Sequence, residues 1–93
     1  MSDDAQLSRT VAITNKRGLH ARASAKFVTL ASGLDATIMV SKDGNAVVGT
    51  SIMGLMMLGA AMGDSITISS SGTDAEAALA ACASLVEDRF GEE

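Results

Sequence analysis

Proline, tryptophan and tyrosine are absent from this chain of 93 residues, two phenylalanines are its only aromatics, and cysteine and histidine occur once each. Each shortage excludes something. Cys82 has no partner for an intramolecular disulfide, so the stapled framework of a small secreted domain is excluded and a reducing, cytoplasmic setting is expected. With neither an apolar signal segment nor a long apolar run, no insertion into a membrane is expected. Two aromatics give nucleobases little to stack on, which argues against nucleic acid as a partner. One histidine without clustered cysteines or carboxylates makes a poor metal site, so neither a metal nor a cofactor is expected.

What is present suits a single domain over residues 1–93, with its core from about residue 8 to residue 90. Hydrophobic residues make up 47% of the chain, and with so few aromatics the packing must rely on aliphatic and methionine side chains. The net charge is −4, yet no acid stands between Asp4 and Asp35, where Arg9, Lys16, Arg17, Arg22 and Lys26 all fall. Such a local excess in an acidic protein marks a site for a small anionic group, although a solvated basic face would look the same.

Hydrophobic periodicity supplies the elements. "SRTVAIT" (8–14) alternates Val11 and Ile13 with polar or small residues, the period of a half-buried strand. From His20 to Ala31 the spacing of Ala23, Phe27 and Leu30 is helical, and Gly33 is placed to end that helix in a left-handed conformation. "ATIMVS" (36–41) and "NAVVG" (45–49) flank the turn pair Asp43-Gly44 and read as an antiparallel hairpin. "SIMGLMML" (51–58) reads as a short helix capped by Ser51 and stopped at Gly59, and "DSITISS" (64–70) as another strand. Thr73 and Glu76 form a capping-box signal for a last helix with an apolar stripe of Ala75, Leu79, Cys82 and Val86, running to about Arg89 with Gly91 as its stop. Cys82 is thereby read as a small core residue. The acidic ends, "MSDDAQ" and "EDRFGEE", are expected to be solvated and frayed. The order βαββαβα is that of an α+β fold, an antiparallel sheet with its helices on one face.

The one histidine falls where Gly18 and Leu19 lead into the first helix. There the amides of Ala21, Arg22 and Ala23 would lack intrahelical acceptors and, with the helix dipole, offer a site for an anion. Arg22 adds a guanidinium, and positive surroundings disfavour a charged ring, leaving His20 able to act as a nucleophile. A capping or buried histidine without chemistry fits the same pattern.

"GLHARASAKFV" (18–28) resembles the active-site segment of the HPr family, the histidine-containing phosphocarriers of the bacterial phosphoenolpyruvate-dependent phosphotransferase system. "TSIMGLMMLGAAMGDSITI" (50–68) is similar to the family's second helix and the strand after it, and the likeness covers the chain from about residue 8 onward. The resemblance implies an open-faced β-sandwich, a four-stranded antiparallel sheet covered by three helices. It implies a phosphocarrier that takes a phosphoryl group on His20 Nδ1 from enzyme I and passes it to a histidine of an enzyme IIA, with Arg22 beside the phosphohistidine. It also implies that Ser51 is a regulatory site for an HPr kinase/phosphorylase, with Thr50 as a neighbouring hydroxyl. Docking falls to Ile52, Met53 and Met56, which "SIMGLMM" leaves near the surface if Leu55 and Leu58 point inward. Most of the family has proline where this chain has Ala23; in a first helical turn the change frees one amide and spares the helix. It leaves open whether the end use is sugar transport or a nitrogen-related system.

The chain lacks a paired carboxylate, a metal cluster and a glycine-rich phosphate loop, so it cannot use phosphoenolpyruvate or ATP unaided. It is therefore expected to be a monomeric carrier between two proteins and not an enzyme. The alternative is a regulatory HPr-like binding module acting mainly through docking, which would keep the methionines without needing His20.

Overall fold

The computed structural model describes residues 6–92. Four strands, β1 (Leu7–Ala12), β2 (Thr37–Lys42), β3 (Asn45–Val48) and β4 (Ser65–Ser71), form one antiparallel sheet in the order β1-β4-β2-β3. Three helices, α1 (Ala21–Ser32), α2 (Ile52–Met57) and α3 (Ala75–Glu87), complete the order βαββαβα, and a single 3-10 turn (Arg89–Gly91) follows α3. The expected four-stranded antiparallel sheet with three helices is the fold observed.

Strand alternation decides which face is covered. Val11 pairs with Ile66 and Val40 with Ile68, and these four with Ile38 are buried in the core. Residues between them point the other way: Thr10 and Thr67 sit opposite each other on the exposed side, their hydroxyls 2.9 Å apart. α3 lies on the apolar face through Ala78, Cys82, Ala83 and Val86, and its small residues let the helix approach the sheet closely. Burial pushes the Cys82 thiol up to about 11, so at neutral pH it is an unreactive thiol packed as a small apolar side chain. The hairpin between β2 and β3 turns at Asp43 and Gly44, both at positive φ (52° and 85°), the geometry for which Asp-Gly is favoured.

Element ends differ from the sequence reading in ways that local hydrogen bonds explain. Gly33 ends α1 at φ −91°, not in the left-handed region, because its N–H bonds to the Leu30 carbonyl and that of Leu34 to Ala31, tightening the last turn. The capping box does not form: Asp74, not Thr73, is the N-cap of α3, and it makes no side-chain cap bond. β1 ends at Ala12, and Ile13 instead exchanges main-chain bonds with Gly63 and Asp64. The largest correction concerns "EDRFGEE". α3 stops at Glu87 instead of near Arg89, and Phe90 beyond it is 0% exposed, part of the core. Residues 88–92 are anchored through Phe90, while Glu87, Asp88, Arg89 and Gly91 are exposed as expected and Glu93 lies outside the described residues. Of the other acidic end, residues 1–5 lie outside the described residues, while Gln6 is exposed.

Candidate functional site

The segment between β1 and α1 is held in place before the histidine is reached. Asn15 is 1% exposed, and its Nδ2 donates to the Gly18 carbonyl at 2.8 Å, while the Gly18 N–H returns a bond to the Asn15 carbonyl at 3.2 Å. Gly18 has φ +64°, and a Cβ there would run into the Ala60 carbonyl oxygen, so both the conformation and the close approach require glycine. Leu19 is buried, its N–H donating to Ala60 at 2.9 Å. The segment following α2 is thereby fastened against the loop that presents His20.

His20 is the N-cap of α1, one position before the helix proper. Its carbonyl accepts from Ser24 N–H at 2.9 Å and its Nδ1 accepts from Arg22 N–H at 3.3 Å, a ring nitrogen taking the place usually filled by a serine or aspartate oxygen. A backbone N–H only donates, so Nδ1 is unprotonated and the ring proton is on Nε2. The lone pair of Nδ1 therefore faces the positive end of α1.

This alters the expected set of anion donors. Ala23 is 0% exposed and the Arg22 amide is turned onto the ring, leaving Ala21 as the one of the three residues that is exposed with its amide not turned onto the ring. The surroundings are not purely positive either: His20 Nε2 lies 2.6 Å from Glu92 Oε2, a carboxylate brought back by the turn after α3. Hydrogen bonding from Asn15 first, then from the His20 ring, holds the Glu92 carboxyl below its ordinary value against the opposing effect of burial.

The basic cluster divides. Arg9 pairs with Glu87 of α3 at 2.9 Å on an exposed surface, and Lys26 donates to the Phe90 carbonyl at 2.7 Å. The side chains of Lys16, Arg17 and Arg22 are exposed and make no ion pair among the described residues. Lys26, whose partner is a neutral carbonyl, keeps its charge as well, so of the five only Arg9 is neutralised by an ion pair among the described residues.

Ser51 caps α2, its Oγ accepting from Gly54 N–H at 3.0 Å, and Thr50 beside it is exposed. Leu55 is fully buried and Leu58 packs against the core, while Ile52, Met53 (73% exposed) and Met56 face outward as anticipated. Met57 (81%) and Met62 extend the patch beyond the sequence reading. Met57 follows Met53 by one helical turn, a spacing that marks the same face. α2 packs on α1, the helix that His20 caps. Among the described residues no three His, Cys, Asp or Glu side chains are grouped to hold a metal, and no helix is long and apolar enough to cross a membrane.

Residues 7–88 match the family described as the PTS HPr component phosphorylation site. The phosphocarrier protein HPr of Cupriavidus necator is 44% identical over 86 residues, 92% of this chain and 97% of that protein. The phosphocarrier protein NPr of Shewanella violacea is 45% identical over 94% of this chain and 96% of its own length. The crystal structure of HPr-C-His from Thermoanaerobacter tengcongensis, 45% identical, superposes with a TM-score of 0.89, covering 94% of this chain and 98% of that one. Relatives so named are phosphocarriers. With a family match over residues 7–88 and near-complete alignment to such carriers, the chain belongs to the HPr family of phosphotransferase-system phosphocarriers.

Proposed function

We propose that His20 is the residue that carries the phosphoryl group, accepting it on Nδ1 from the phosphohistidine of enzyme I and passing it to a histidine of an enzyme IIA. The observation that carries this is the hydrogen bond from Arg22 N–H to His20 Nδ1. It holds the lone pair at the positive end of α1, where an anion is stabilised. As the nitrogen–phosphorus bond forms, the lone pair is used and the Arg22 N–H is released to a phosphoryl oxygen. The Arg22 guanidinium, exposed and without an ion pair among the described residues, supplies further charge to oxygens that carry it in a loose transition state. Transfer between two histidines needs alignment and positive charge more than acid or base catalysis.

Docking uses Ile52, Met53 and Met56, whose thioethers adapt to partners of different contour. Ser51 is the regulatory position, where an HPr kinase/phosphorylase would place a dianion beside that surface. The carrier works as a cytoplasmic monomer that meets one partner at a time through one face. Relatives named HPr and NPr match it about equally, so the proposal concerns the relay and leaves sugar-linked and nitrogen-linked systems both open as its end use.

The test is incubation with phosphoenolpyruvate and enzyme I, followed by mass measurement and acid treatment. The wild type gains one acid-labile phosphoryl group and His20→Ala gains none while still unfolding cooperatively, its midpoint lowered by no more than the loss of a helix cap. Acid-labile phosphate on the alanine variant would remove His20 from the relay.

A further inference from the structure

Glu92 lies beyond residues 7–88, the stretch that the family pattern covers, yet both of its carboxylate oxygens are engaged at the histidine. Oε1 accepts from the Asn15 amide at 3.0 Å, and Oε2 meets His20 Nε2 at 2.6 Å. Neither contact is the chance result of a loose chain. Phe90 is sunk in the core, its carbonyl is held by Lys26 at 2.7 Å, and the Glu92 N–H bonds to the Arg89 carbonyl at 2.9 Å. Arg89, Phe90 and Gly91 have φ of 56°, 54° and 77°, three consecutive left-handed residues that turn the chain back toward α1. Two of them are not glycine and are strained there, so the reversal exists because Phe90 burial and these hydrogen bonds hold it. Asn15, which orients the carboxylate, is itself buried and fixed to Gly18.

We infer that Glu92 is a positioning residue for phosphoryl transfer, fixing the proton of His20 on Nε2 and remaining as the counter-ion of the ring when Nδ1 carries phosphate. The inference rests on the reading of His20 as the acceptor. Its chemistry balances without any proton leaving the site. The Nδ1 lone pair forms the new nitrogen–phosphorus bond as the donor's breaks, and the donor ring keeps the electron pair of the broken bond. The His20 ring, still holding its Nε2 proton, becomes cationic and pairs with the Glu92 carboxylate. Onward transfer reverses this, and neutral imidazole leaves instead of imidazolate. Asn15 keeps the carboxylate aimed at Nε2 through both halves of the cycle, the role that a buried carboxylate or amide plays toward a ligating or nucleophilic histidine elsewhere.

The test compares wild type with Glu92→Gln and Glu92→Ala, each labelled with nitrogen-15 in the histidine ring. The unphosphorylated wild type should show a slowly exchanging Nε2–H signal that both variants lose, with their remaining spectra kept and unfolding still cooperative. After phosphorylation with phosphoramidate, a small donor that needs no partner protein, Nε2 should stay protonated in wild type in mildly alkaline buffer and be deprotonated in the variants. Transfer from phosphorylated carrier to an enzyme IIA should fall by about tenfold, the loss of one charge-assisted contact. Equal ring protonation and equal rates in all three proteins would overturn the inference and leave Glu92 as part of a structural latch. Failure of enzyme I to phosphorylate the wild type would count against the reading of His20 instead, since the phosphoramidate spectra speak to Glu92 alone.

Discussion

Lys26 Nζ donates to the main-chain oxygen of Phe90 across 2.7 Å, fastening the middle of α1 to the chain reversal that follows α3. Because the Phe90 ring is also fully buried, this reversal is part of the folded core. Phe90→Ala should lower stability by about 3–5 kcal/mol, the cost of emptying a large aromatic site. Amide exchange at Gly91 and Glu92 should rise with it. A loss under about 1 kcal/mol in chemical denaturation would show that the site collapses around the smaller side chain.

Arg22 is exposed and its guanidinium bonds to nothing among the described residues, so its removal should not disturb the fold. Arg22→Ala should slow phosphoryl transfer by roughly ten- to a hundredfold at unchanged thermal midpoint, as expected for one charge-assisted interaction with the moving group. Rapid-quench rates with enzyme I and with an enzyme IIA check this, and equal rates would mean that the backbone alone suffices.

Met53 is 73% exposed on the outer face of α2, so a charge there has no desolvation cost in the free protein. Met53→Glu should weaken binding to enzyme I and enzyme IIA while leaving the unfolding transition in place. Titration calorimetry beside a thermal melt separates the two; a large stability loss with intact binding would relocate docking elsewhere.

Ser51 Oγ already accepts the Gly54 N–H at 3.0 Å, so its hydroxyl has a structural duty whatever its regulatory one. Ser51→Ala should cost about 1 kcal/mol and transfer normally. Ser51→Asp should restore the cap and lower the rate of phosphorylation by enzyme I, because the new charge stands beside Ile52, Met53 and Met56. An aspartate variant matching wild type across enzyme I concentrations would leave Ser51 as a cap only.

Acid should loosen the carboxylate at the histidine. The folded protein holds the Glu92 carboxyl below its ordinary value, chiefly through Asn15 and then His20, with Lys26 contributing charge. A group whose folded value is lowered stabilises the fold above its unfolded value of about 4.3 and loses that contribution as pH falls through the folded one. The difference in thermal midpoint between wild type and Glu92→Gln should be full near neutrality and should be lost in acid, as pH falls through the lowered folded value. A difference that persists into acid would mean that it arises from packing and not from the charge.

Local chemistry made much of this legible. Asp43-Gly44 fixed the hairpin because few other pairs accept two successive positive φ values, and Val11, Ile38, Val40, Ile66 and Ile68 announced the covered face by alternation. His20 was found by what surrounds it in sequence. Its partners were not, since Glu92 reaches it across a separation of 72 residues. That contact depends on Arg89 and Phe90 adopting left-handed conformations that their residue types disfavour locally, and tertiary burial overrides such preferences. A lone phenylalanine inside an acidic run was the one available sign, since a large apolar residue there has little reason to be solvated. The capping box at Thr73 and Glu76 misled for the opposite reason: the motif is local, and the chain began its helix one residue later.

The sheet order β1-β4-β2-β3 places the earliest strand against a late one, and the His20–Glu92 pair repeats that separation within the site. During translation the histidine leaves the ribosome long before β4, α3 or Glu92 exist. A nascent chain can therefore display the whole basic segment while its ring is unoriented and its apolar face uncovered. Orientation of the ring waits on Glu92, so a chain interrupted before that residue should pass for a carrier by composition and fail as one in traffic with its partners.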